Sequence, residues 1–101
     1  AMTIKRLNDP FILNEKIELA GLRASIKYRV SLQSMYKKKF NECQKNKCGK
    51  SRLFSAMLNW NKLYINKLLV NIKKCKETLD GLYESERKLL YMDKRREESD
   101  Q

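Results

Sequence analysis

The chain contains no histidine, one proline and three glycines. Without an imidazole there is no His-based acid–base catalysis, no Ser/His or Cys/His nucleophile pair and no histidine ligand for zinc. So little proline and glycine leaves few residues suited to tight turns, which argues against a protein of many turns. Long hydrophobic runs are missing too. Leu68-Leu69-Val70 is about as far as uninterrupted apolar sequence extends, against the ~20 residues that span a bilayer. The segment Thr3–Asp9 lacks the apolar stretch of a secretory signal.

What is present is charge and helical pattern. The 101 residues carry 23 Lys+Arg against 12 Asp+Glu, a formal +11, with 42% hydrophobic residues. A chain of this length forms one domain and buries only roughly 60–70% of its unfolded surface, which leaves little room for an enclosed pocket. Ala1-Met2 reads as a cloning remnant followed by a native start methionine, and Glu97-Glu98-Ser99-Asp100-Gln101 as the point where an N-terminal piece of a longer protein stops. Three cysteines, an odd number without a secretory signal, imply free thiols in a reducing intracellular setting, nuclear or cytoplasmic, where a Cys43–Cys48 disulfide, geometrically possible across the turn, is not expected.

Two helical stretches are expected, over 10–45 and 51–97, with a turn at 46–50 and flexible ends at 1–8 and 98–101. Asp9 is placed to cap the first helix, with Pro10 at its first position. Ile12, Leu19, Leu22, Ile26, Tyr36, Phe40 and Cys43 then recur on three- and four-residue steps, interrupted by Arg29 and Gln33 and flanked there by Val30 and Leu32. The polar stretch Gln44–Lys50 closes the pattern, with Gly49 offering a positive φ and Ser51 a cap for the next helix.

The second helix carries the stronger repeat. Phe54, Leu58, Asn61, Ile65, Leu68, Ile72, Cys75, Leu79, Leu82, Glu86 and Leu89 follow a 4-3 spacing over five heptads. Such a period predicts coiled-coil packing against another helix. Gly81 lies inside this repeat without shifting its phase, so one continuous helix is expected, and a break there would give a three-helix bundle instead. Two long helices joined by a short polar connection run antiparallel. The expected fold is therefore all-α, an antiparallel helical hairpin with coiled-coil packing.

Two polar residues in the seam carry a specific expectation. With the turn centred near residue 47, Asn61 falls opposite Gln33, close to Arg29, predicting a buried Gln33–Asn61 layer. A lone polar seam residue fixes register, since slipped pairings leave it unsatisfied. On that basis, Asn61→Leu is expected to raise the melting temperature and to loosen register or stoichiometry.

Leu53, Met57, Trp60, Leu63, Tyr64, Leu69 and Val70 are apolar outside the seam. A helix apolar on nearly every face is covered on more than one side. The covering layer is a third helix of this chain, a second copy, or another subunit. Leu53, Met57, Trp60, Leu63, Tyr64 and Val70 form the candidate partner surface.

The charge is uneven as well. Residues 37–52 hold Lys37, Lys38, Lys39, Lys45, Lys47, Lys50 and Arg52 against Glu42, a net +6 at the turn. Clustered lysines bind phosphate backbones by counterion release with little sequence preference, although Tyr36 and Phe40 sit in the seam rather than free to stack on bases. These seven residues are the candidate contacts for DNA or RNA in the rival reading.

No other chemistry stands out. Cys43, Cys48 and Cys75 are one ligand short of a structural zinc site. Cys48-Gly49-Lys50-Ser51 lacks the first glycine and the preceding strand of a phosphate loop. Glu84 and Glu86 are surface charges with Arg87 and Lys88 close by, not a catalytic pair. The sequence is read as a non-enzymatic interaction module without cofactor, metal, membrane or small-molecule substrate. It docks or oligomerises within a larger intracellular assembly, and binding nucleic acid through the basic turn is the alternative.

Overall fold

A computed structural model describes the backbone from Met2 to Ser99 and the side chains of residues 10–98. The protein is an all-α helical hairpin. Helix α1 covers Met2–Asn46 and α2 covers Ser51–Ser99, and the two pack against each other. No helix among the described residues is long and apolar enough to cross a membrane.

Helix α1 begins at Met2 rather than at Pro10, which stands inside it. Proline removes one N–H, but its fixed φ is helical. Lys5, Arg6 and Leu7 on its N-terminal side are good helix formers, so helical backbone continues past it. The expected Asp9 cap lies outside the described side chains. Of the ends expected to be flexible, 2–8 have helical backbone, and Ala1, Asp100 and Gln101 lie outside the described residues. Helix α2 runs unbroken through Gly81, so the three-helix alternative is not adopted.

The turn differs in detail from the sequence expectation. Cys48 N–H donates to the Cys43 carbonyl at 3.0 Å and Lys47 N–H to that of Gln44 at 3.4 Å. This six-to-one and five-to-two pair is a Schellman ending. Its left-handed residue is Lys47, with φ 54°, and Gly49 supplies a second positive φ of 78° further on. The N-cap falls on Lys50, whose carbonyl accepts from Phe54 N–H at 3.1 Å, so Ser51 is the first helical residue and not the cap.

Schellman turns commonly bring an apolar pair together at the positions that Cys43 and Cys48 occupy. Here the contact is a disulfide, with Cα atoms 4.8 Å apart. That separation lies within the range a disulfide spans. The expectation of three free thiols is thus corrected: the turn geometry joins two, and Cys75 alone is free and buried.

The chain forms two compact units. In Gly21–Ile72, the buried residues Cys43, Asn61 and Leu68 lie on the expected seam, with Leu22, Ile26, Arg29, Gln33, Tyr36, Phe40, Phe54, Leu58, Ile65 and Ile72 half-covered beside them. In the unit built from 1–20 and 73–101, Ile12, Leu19, Cys75 and Leu79 are buried. No large side chain among the described residues is sealed completely. A two-helix pair has no further layer to close over its core.

Candidate interaction surface

The site is built on a polar layer inside Gly21–Ile72. Asn61 is only 3% exposed. Its amide Nδ2 donates to the Arg29 carbonyl and to Gln33 Oε1, both at 2.8 Å. Arg29 Nη1 in turn reaches Asn61 Oδ1 at a long 3.5 Å. The Gln33–Asn61 pairing expected from the sequence is therefore present. Burying an amide is unfavourable unless it is hydrogen-bonded, and here both of its N–H donors are used.

Arg29 is the residue that sequence reasoning undervalued. Its guanidinium carbon lies 4.1 Å from the centroid of the Tyr64 ring, a close cation–π stack. The sequence marked Arg29 as an interruption of the α1 stripe lying close to Asn61, without linking it to Tyr64. The signal that could have found it is the facing register, which brings the tyrosine three residues beyond Asn61 beside it.

Outside this layer the apolar residues remain uncovered. Trp60 is 78% exposed and Leu63 68%, and Leu53, Tyr64 and Val70 are exposed as well, while Met57 is half-buried. Leu53, Met57, Trp60 and Tyr64 follow 4-3-4 steps, a second stripe running beside the first. Met57, Trp60 and Tyr64 line one shallow concavity with Arg29, Tyr36 and Asn61. Trp60, Leu63 and Tyr64 line another with Lys67. Leu53 and Val70 line neither, so the structure brings together four of the six expected residues. Helix α1 adds Tyr28 and Met35, both exposed, and half-covered Leu32. These lie on 4-3 steps along the flank that an antiparallel pair turns to the same side.

All seven expected basic residues, Lys37, Lys38, Lys39, Lys45, Lys47, Lys50 and Arg52, are exposed. The charge asymmetry is stronger than the run at the turn suggested. Residues 21–72 hold twelve basic side chains and one acidic, Glu42, so this unit carries the whole formal +11 of the chain. The other unit balances eleven basic against eleven acidic residues.

A metal reading of the cysteines does not fit, because the disulfide occupies Cys43 and Cys48. In the other unit, Glu15, Glu18 and Cys75 bring one donor atom each to within 4.8 Å of one another. The Cys75 sulfur lies 3.2 Å from both the carbonyl and a carboxylate oxygen of Glu15. Burial, then the Glu15 hydrogen bond and the Glu15 and Glu18 charges, push the thiol pKa up.

In comparisons with protein-family models, curated proteins and solved structures, none matches this chain. The functional reading therefore rests on the chemistry of the surface itself.

Proposed function

We propose that the protein is a non-catalytic helical interaction module that docks or oligomerises within a larger assembly through the Trp60 face. One observation carries this reading. The single tryptophan of the chain is 78% exposed amid Leu53, Leu63 and Tyr64, on a stripe with the spacing of a coiled-coil seam. Contiguous apolar patches of this kind on a monomer mark partner surfaces. Tryptophan is also among the residues most enriched where binding energy concentrates. The test is assembly state, read by size-exclusion chromatography with light scattering, and partner capture from the native source. Trp60→Ala abolishes assembly and capture, and Lys37→Glu/Lys38→Glu/Lys39→Glu leaves both intact.

The second reading, nucleic-acid binding by Lys37–39, Lys45, Lys47, Lys50 and Arg52, draws on the exposure of all seven. It expects anisotropy of labelled duplex DNA or single-stranded RNA to rise at 150 mM salt, with a log–log salt slope reporting about four or more phosphates. The lysine-to-glutamate variant then loses binding and Trp60→Ala does not. An intracellular placement, nuclear or cytoplasmic, belongs to the same proposal, and the Cys43–Cys48 bond weighs against a strongly reducing setting. Alkylation of the thiols in protein taken directly from its source decides that point.

A further inference from the structure

Resting on the docking reading, we infer that the occupant of the Trp60 face is an acidic amphipathic helix of another protein, with a carboxylate placed to meet Arg29. The 4-3-4 steps at 53, 57, 60 and 64 make a straight apolar stripe along α2, a surface against which a partner helix can pack its own 4-3 stripe. A helix laid along this stripe as far as Lys67 runs for about 14 residues, or about 21 Å at the helical rise. The concavities are lined by aliphatic groups as well as aromatic ones. A nucleic-acid strand would stack on Trp60 but would leave Met57 and Leu63 uncovered.

Charge complementarity selects the sign of the partner. Arg29 has five N–H donors, and one is directed at Asn61. The only carboxylate side chain in residues 21–72 is Glu42, 13 residues along the same helix, hence about 20 Å away. Arg29 therefore borders the concavity beside Trp60 as a half-buried cation, stacked on Tyr64. Lys67 borders the neighbouring concavity. Toward the turn, a further hollow beside Phe54 is lined by both Lys39 and Glu42, so it adds no net charge. Cations thus border both concavities at Trp60. A second copy of this chain meeting the first through the same face would bring one +11 unit against another, and like charges at close approach oppose association. An acidic helix meets the same cations with attraction, and a carboxylate against a stacked guanidinium makes a two-point, charge-assisted contact.

The experiment uses the full chain and a displayed library of 18-residue peptides, with leucine fixed on 4-3 steps and all other positions random. Recovered peptides are resynthesised with a fluorescent label, and binding is read by anisotropy and by the emission of Trp60, the sole tryptophan. The inference expects recovered sequences to be rich in Asp and Glu, and Trp60 emission to shift to the blue on binding. Truncating one partner of a buried charge pair costs enough to weaken binding by ~30-fold or more, which is the expectation for Arg29→Gln. Arg29→Lys, which keeps the charge but loses the planar two-point geometry, is expected to recover binding only in part. Circular dichroism confirms that each variant retains its helix.

Recovery of neutral or basic peptides, or of none, overturns the inference. So does binding that Trp60→Ala leaves unchanged, since that is attraction by charge alone. A dimer of the chain that dissolves on Trp60→Ala overturns the acidic partner while upholding the docking surface. Duplex DNA binding that depends on Lys37–39 and ignores Trp60 overturns both.

Discussion

Asn61 offers the sharpest test of the packing, because two substitutions at that site are expected to differ clearly in cost. Its amide makes two 2.8 Å hydrogen bonds at 3% exposure. Each is worth about 1 kcal/mol net, so Asn61→Ala forfeits about 2 kcal/mol in hydrogen bonds. Lost packing adds to that, for a total of about 2–3 kcal/mol. For a chain near 100 residues that lowers Tm by roughly 8–20 °C. Asn61→Leu loses the same bonds but buries a side chain worth about 2 kcal/mol. Sequence alone predicts that leucine raises the melting temperature. The two short bonds reduce that gain to near parity, with Leu within about 1 kcal/mol of the parent. Urea unfolding followed by circular dichroism at 222 nm measures both variants against Gln33→Ala, and a double-mutant cycle isolates the Gln33–Asn61 term. A loss under about 0.5 kcal/mol for Asn61→Ala, or equal losses for Ala and Leu, refutes the reasoning, since neither fits two formed bonds in a site that accepts an apolar side chain.

Two glycines are expected to respond with opposite signs. Gly81 lies mid-helix and a Cβ there meets nothing within 4 Å, so Gly81→Ala stabilises by about 1 kcal/mol. Gly49 is equally open but holds φ at +78°, so Gly49→Ala destabilises by about 1–2 kcal/mol; thermal melts of the pair check both. Cys75 is 4% exposed and its thiol is held above its ordinary value near 9.0. Native protein is therefore expected to react slowly with Ellman's reagent at pH 8, and unfolded protein quickly. The fold binds this proton more tightly than the unfolded chain does. Its stabilising contribution is thus fully present below pH 9 and is lost as pH rises through the raised native value. Comparing Cys75→Ala with the parent across that window reads the slope.

The seam was legible because its signal is periodic and redundant. Eleven positions on α2 repeat the same step, and a single Gly81 cannot disturb the phase. The Gln33–Asn61 layer followed from the same logic, since a short connection fixes which residues of two antiparallel helices can meet. The turn was less legible because Lys47, not Gly49, takes the left-handed position next to Asn46. Local preference favours glycine there, but the hydrogen bonds to Cys43 and Gln44 hold a lysine in place. The Cys43–Cys48 pairing was possible from its spacing across the turn, but the expectation of a reducing compartment pointed the other way. The Arg29–Tyr64 stack was hidden because it joins a seam position to a flank position across two helices, and one-dimensional periodicity treats the two separately.

The confinement of the formal charge to residues 21–72 bears on kinetics as well as affinity. A net +11 on one unit, while the other unit has no net charge, draws an acidic molecule toward that unit before any side chains touch. Encounter rates steered in this way fall steeply as salt screens the field beyond about 8–10 Å. The dwell time of a docked partner answers to different groups, the desolvated ones at Trp60 and Arg29. Added salt should therefore slow arrival far more than it hastens departure. Loss of the tryptophan should do the reverse, separating the residues that gather a partner from those that keep it.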